Sequence, residues 1–305
     1  MLRTISISLF VALFASGCAG TTPRTKAPED FGVLVMAHGG SPEWNKAVLD
    51  AVEPLRAKNK VEVAFGMADA KSIQEGVRKL EAEGALKIGV VRLFVSGESW
   101  YERTEQIVGI IPGAPEQPAH DEHAGHEEHQ GHSMAFWKIH TNASFALSRP
   151  GLAEAPEMGP VLADRAKALS HAPEKEDVLI LAHGPGDDAE NRRWVAFLDA
   201  RAESIRKALP FRRVQVETLR EDWPDKRVEA EQRVRQFVER ALQEGGKAIV
   251  IPFRVQGFGP YAKVLEGTDY VSDGQGLIPH PNVTRWIEGQ IAELRSATFK
   301  APVTK

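Results

Sequence analysis

The chain has 305 residues, 42% of them apolar and 26% charged, with a formal net charge of −4. That is the make-up of a globular protein large enough for two ordinary domains. Neither a basic surplus nor a basic groove interleaved with aromatics is present, so nucleic acid is excluded as a partner.

The first eighteen residues stand apart. Arg3 precedes an apolar stretch from Ile5 to Ala15, and Ala15-Ser16-Gly17 leads into Cys18. A short positive region, an apolar run too short to span a bilayer and small residues before a cut read as a signal peptide over 1–18. Cys18 is the single cysteine. Its position resembles the lipobox of bacterial lipoproteins, in which the cysteine is lipidated. The resemblance implies a cell-envelope protein, lipid-anchored at Cys18 on the periplasmic side. An ordinary signal peptide with a chance cysteine is the alternative. Without a second cysteine, metal chemistry falls to His, Asp and Glu. Residues 19–30, rich in Thr, Pro and Lys, read as a tether.

From residue 31 the chain alternates strands and helices. Val33-Leu34-Val35-Met36-Ala37-His38-Gly39 has the pattern of a buried parallel strand ending at a polar residue. Ser41-Pro42-Glu43 then opens a helix with a serine cap and a proline in the first turn. Pro54 is expected to kink that helix or end it early. Val61 to Phe65 gives a second strand closing at Asp69, Ile73 to Leu80 a helix, and Lys87 to Val95 a third strand running into Ser96-Gly97-Glu98. Pro112 to Ser133 carries almost nothing apolar and reads as an excursion. Phe136 to Leu147 reads as a returning strand and Met158 to Leu169 as a closing helix.

The plan then repeats. Val178-Leu179-Ile180-Leu181-Ala182-His183-Gly184 is a second strand with the same Ala-His-Gly ending. Asp187 or Asp188 caps the next helix. A strand at Val214 and Val216 ends near Asp222, and Lys247 to Val255 is the last strand. Alternating strands and helices predict an α/β fold with two side-by-side units, each a small parallel sheet flanked by helices, and a cleft between them. The units are placed at 31–172, with a His-rich insertion at 112–135, and at 173–298. Ligands gather at the carboxyl ends of parallel strands, where His38 and His183 would sit. A histidine that merely caps a strand is the alternative for each.

Within the insertion, His120, His123, His126, His129 and His132 recur at every third residue with acids between them. Imidazoles at that spacing suit divalent Ni, Co, Zn or Cu. Their affinity is expected to fall below about pH 6, because each ligand must be unprotonated. A solvated polar loop with incidental metal affinity is the other reading.

Taken together, the strand-His-Gly openings, Ser72-Ile73-Gln74-Glu75-Gly76, Leu93-Phe94-Val95-Ser96-Gly97 and Pro279-His280-Pro281 resemble the class II tetrapyrrole chelatases. That family includes sirohydrochlorin cobaltochelatase and ferrochelatase. The resemblance runs from about Phe31 to Leu294 and is to the long form with two chelatase units. It implies insertion of a divalent metal (Co²⁺, Fe²⁺, Ni²⁺ or Zn²⁺) into a sirohydrochlorin-type tetrapyrrole. It also implies His38 and His183 at the catalytic and metal position. Glu98 would act as proton acceptor or outer partner, or else as a solvated loop acid. Arg92, Arg254 and Lys263 are candidates for substrate carboxylates or plain surface residues.

Two departures count against a simple transfer. Where the family has a second histidine, this chain has Ser99 in the first half and Gly259 in the second. Its openings are His38-Gly39-Gly40 and His183-Gly184-Pro185 instead of His-Gly-Ser. The alternative function is therefore a non-catalytic envelope carrier of metal or tetrapyrrole on the same fold. A monomer is expected, since the second unit supplies the partner face.

Overall fold

The computed structural model describes residues 30–118 and 134–303. Cys18, the signal and the ladder His120, His123, His126, His129 and His132 lie outside the described residues.

Two parallel sheets form the frame. In the first, β1 (Phe31–Ala37) lies between β2 (Lys60–Phe65) and β3 (Lys87–Leu93), with β4 (Ser144–Leu147) beyond β3. In the second, β5 (Glu176–Ala182) lies between β6 (Arg213–Thr218) and β7 (Lys247–Phe253). Both central strands are buried along their whole length, as expected for parallel strands covered on both faces. The registers correspond. Val35 sits beside Val63 and Val91, and Ile180 beside Val216 and Ile251.

The helices are α1 (Pro42–Arg56), α2 (Ala70–Ala82), α3 (Tyr101–Ile107) and α4 (Met158–Leu169), then α5 (Asp188–Ala208), α6 (Pro224–Gln243), the short α7 (Tyr261–Val264) and α8 (Pro281–Arg295). Ser41 caps α1 by accepting from the Trp44 amide, and Asp187 caps α5 by accepting from the Glu190 amide at 2.7 Å. Pro54 stands inside α1, which ends soon after it at Arg56. His280 of the Pro-His-Pro motif caps α8, its Nδ1 accepting from the Asn282 amide at 3.1 Å.

Alternation along each strand sorts the apolar side chains into three layers. Leu34 and Met36 face α2 and α3, while Leu179 and Leu181 face α6 and α7. Val33, Val35, Val178 and Ile180 instead enter one continuous core with α1, α4, α5 and α8. That core is shared because two helices change sides. α4, which follows the first sheet, packs on α5 and β7, and α8, which follows the second, packs on β3 and α1. Thr284 Oγ1 donates to the Ala51 carbonyl at 2.7 Å, and the Arg295 guanidinium lies 4.4 Å from the Phe31 ring centroid. A division at residue 172 thus separates the sheets but not the helices that cover them.

The predicted strand over Phe136 to Leu147 is shorter than expected, only Ser144–Leu147. Part of the segment before it is satisfied by side chains of α2 instead of by a ladder. Gln74 exchanges two hydrogen bonds with the backbone of His140, and the Glu81 carboxylate accepts from the Asn142 amide. The predicted strands to Val95 and Val255 end earlier, at Leu93 and Phe253, where the chain turns into the cleft.

A shared core predicts shared unfolding. Ile287→Ala, in buried α8, is expected to cost about 2–5 kcal/mol. Denaturant titration followed by circular dichroism and tryptophan fluorescence should give one coincident transition. Two separate transitions would contradict the shared layer.

Candidate active site

All six loops at the carboxyl ends of β1, β2, β3, β5, β6 and β7 contribute to one cleft of about 770 Å³ between the sheets. His38 and His183 both line it. Each directly follows its strand, and the next residue, Gly39 or Gly184, turns the chain with φ of 82° or 76°. Such left-handed backbone strains any residue with a Cβ. The two rings share a contact: Nδ1 lies 2.9 Å from the Gly39 carbonyl in His38 and 2.8 Å from the Gly184 carbonyl in His183.

The second unit adds an acid system around its histidine. His183 Nε2 lies 3.0 Å from Asp222 Oδ2 and 4.0 Å from Glu221 Oε2. Burial pushes the imidazole down, but the Asp222 hydrogen bond and the charges of Glu221 and Asp222 outweigh it, so its pKa stands above the ordinary 6.5. Both ring nitrogens face oxygen atoms, the Gly184 carbonyl at Nδ1 and the Asp222 carboxylate at Nε2. Glu221 also accepts from Arg254 Nη1 at 2.6 Å, and that pairing and the Tyr261 ring hold the guanidinium in its charged form against burial. The loop is pinned by Arg220, whose amide donates to the His183 carbonyl at 2.6 Å and whose Nη2 bonds Asp188 at 2.8 Å.

Three of the candidates lie outside the cleft lining. Glu98 does not line the cleft; its carboxylate takes both prongs of Arg193 at 2.9 and 2.7 Å, an exposed pair joining the two units. Arg92 is 1% exposed and donates to the backbone carbonyls of Ser148, Ser99, Gly97 and Arg149, so it shapes the loop after β3. Burial lowers its pKa to about 10. Lys263 is exposed on α7, outside the lining. Arg254 does line the cleft, already paired with Glu221.

Ser99 and Gly259, at the positions of the missing second histidines, both border the cleft. Gly259 has φ 61°, and a Cβ there would stand 2.8 Å from the Arg254 guanidinium. Arg254 therefore occupies the room a side chain at 259 would need. Among the described residues no three His, Cys, Asp or Glu side chains form a ready metal cage.

Sequence reasoning missed the walls. Trp44, Trp100, Trp194 and Trp223, four of the chain's six tryptophans, line the cleft. Trp44 and Trp194 stand on the helices α1 and α5. Trp100 holds left-handed backbone, φ 58°, unusual for a bulky residue. Trp223 meets the His183 ring edge to face at 6.1 Å. Asp222 read as a strand-end marker, although an acid in the loop that follows the strand beside a histidine strand signals a partner.

Chelatases are among the solved structures similar to this chain. SirB from Bacillus subtilis with Fe³⁺ is 14% identical, with a TM-score of 0.56 over 88% of this chain and 96% of that one. The sirohydrochlorin chelatase SirB from Bacillus subtilis subspecies spizizenii with cobalt is 14% identical, with a TM-score of 0.54 over 87% and 95%. A multi-domain protein of Deinococcus radiodurans, structurally similar to chelatases, is 18% identical with a TM-score of 0.53. The match covers 90% of this chain but 58% of that longer protein. No curated protein matches in sequence. Residues 32–168, β1 to α4, match the model of the CbiX family. The first unit is thus similar to the CbiX family, and the fold of the chain is similar to that of the chelatase structures.

The His183 geometry fixes a sign. A pKa raised by Asp222 means stabilisation fully present below the free-histidine value and lost as pH rises through the folded one. Asp222→Asn should lower the His183 pKa in an NMR titration of its ring protons. It should also destabilise the protein more at about pH 5.5 than at about pH 8.5.

Proposed function

We propose that the protein is a chelatase-like enzyme that inserts a divalent metal, Co²⁺ or else Fe²⁺ or Ni²⁺, into a tetrapyrrole held in the cleft. The observation that carries this is the meeting of His38 and His183 in one tryptophan-walled cavity of about 770 Å³. Flat aromatic walls suit a planar macrocycle, and its size fits the usual range of ligand cavities. Insertion requires the metal to shed water and two pyrrole N–H groups to lose protons. His183, once its Nε2 proton passes to Asp222 or solvent, can take up a pyrrole proton or hold the entering metal. Asp222 and Glu221 raise its basicity, which strengthens it in either role. His38, with the same Nδ1 contact, presents a second imidazole to the cleft from the other unit.

The protein is further proposed to act as a monomer at the periplasmic face, anchored through a lipid on Cys18, with the His120–His132 ladder as a metal store. The ladder's spacing and the lipobox-like sequence support these readings. One observation favours a carrier instead: Ser99 and Gly259 stand where the resembled family has its second imidazole.

An anaerobic assay on the chain from residue 19 separates the two. With Co²⁺ and either sirohydrochlorin or mesoporphyrin, absorbance should show accelerated insertion, and His38→Ala and His183→Ala should each lower it by about a hundredfold or more. Stoichiometric cobalt binding without acceleration on any tetrapyrrole would establish the carrier.

A further inference from the structure

We infer that the cleft takes a planar macrocycle whose rim carries few carboxylates, unlike the carboxylate-ringed sirohydrochlorin type. The inference rests on the reading of the cleft as a tetrapyrrole site and names the class of substrate it accepts.

The charge around the cavity carries it. Among the described residues three acids line the cleft, Asp187, Glu190 and Asp222, against one cationic side chain besides the histidines, Arg254. Glu221 already accepts from that guanidinium at 2.6 Å. The neighbouring arginines are engaged as well. Arg193 is bound at both prongs by Glu98, Arg220 holds Asp188 and the Gly186 carbonyl, and Arg92 is buried on backbone oxygens. A ring of substrate carboxylates would have to draw a guanidinium from its present acceptor and would meet Asp187 and Glu190 as like charges.

Glu190 adds a second line. It accepts from Trp194 Nε1 at 3.1 Å, within the aromatic wall. Burial, with the charges of Glu98 and Asp187 nearby, pushes its carboxyl above the ordinary value. A carboxyl already strained by burial and like charge is a poor neighbour for another anion. The four tryptophans instead offer π-faces to an apolar ring.

Binding without metal tests this through quenching of tryptophan fluorescence in the full chain. The probes are mesoporphyrin, with a pair of propionates, and uroporphyrin, ringed by carboxylates, at about 0.15 M salt. Mesoporphyrin should bind at least about tenfold more tightly. In the double variant Asp187→Asn, Glu190→Gln the gap should narrow severalfold, because uroporphyrin gains while the helix cap is kept by asparagine. Uroporphyrin binding as tightly or more tightly would overturn the inference and leave a tetrapyrrole site standing. A preference unaltered by the double variant would also overturn it, since these acids would then not be its source. Quenching by neither porphyrin would overturn the tetrapyrrole reading itself.

Discussion

The structure depends on the apolar layer trapped between its two sheets. Val33 and Val35 from one central strand and Val178 and Ile180 from the other enter the same core, bridged by α4 and α8. Because α8 returns to the first sheet, neither sheet completes its inner face with the helices of its own half. The hydrophobic contact is non-directional, but the strands it clamps are not. The layer holds the carboxyl ends of both sheets around one opening, and the cleft is the gap left beyond it.

Within that opening the two units are alike in backbone and unlike in chemistry. Both end a central strand at histidine, turn through a glycine with positive φ and bring the ring's Nδ1 to the next carbonyl. Around His183, Asp222, Glu221 and Arg254 form a chain of charges. In the first unit Asp69, on the corresponding connection between strand and helix, is buried, capping α2 and accepting from the Ala135 amide. One acid tunes an imidazole, while the other fastens the segment that returns from the insertion. The same local sequence plan thus yields a basic centre in one half and a structural clamp in the other.

Much of the fold was legible because parallel strands buried on both faces write themselves as apolar runs. β1 and β5 stand where Val33–Ala37 and Val178–Ala182 put them, and α4 covers Met158–Leu169. The histidines were legible because a polar residue closes each run. The roles of Glu98 and Arg92 were not, since each depends on a partner distant in sequence: Glu98 on Arg193, Arg92 on Ser148. The aromatic wall was hidden for a related reason. A tryptophan on an amphipathic helix reads as core, and only the meeting of two units turns that face into a cavity wall. The helix exchange leaves no periodic mark at all, because α4 and α8 carry the same apolar stripe whichever sheet they cover.

The central claim is that metal enters between the two strand-end histidines. An anomalous difference map from crystals of the full chain soaked in Co²⁺ tests it most directly. The account predicts density in the cleft within bonding distance of His183 Nε2 or the His38 ring, with Asp222 displaced from its present contact. Cobalt found only away from the cleft, with the His183–Asp222 pair intact, would contradict it.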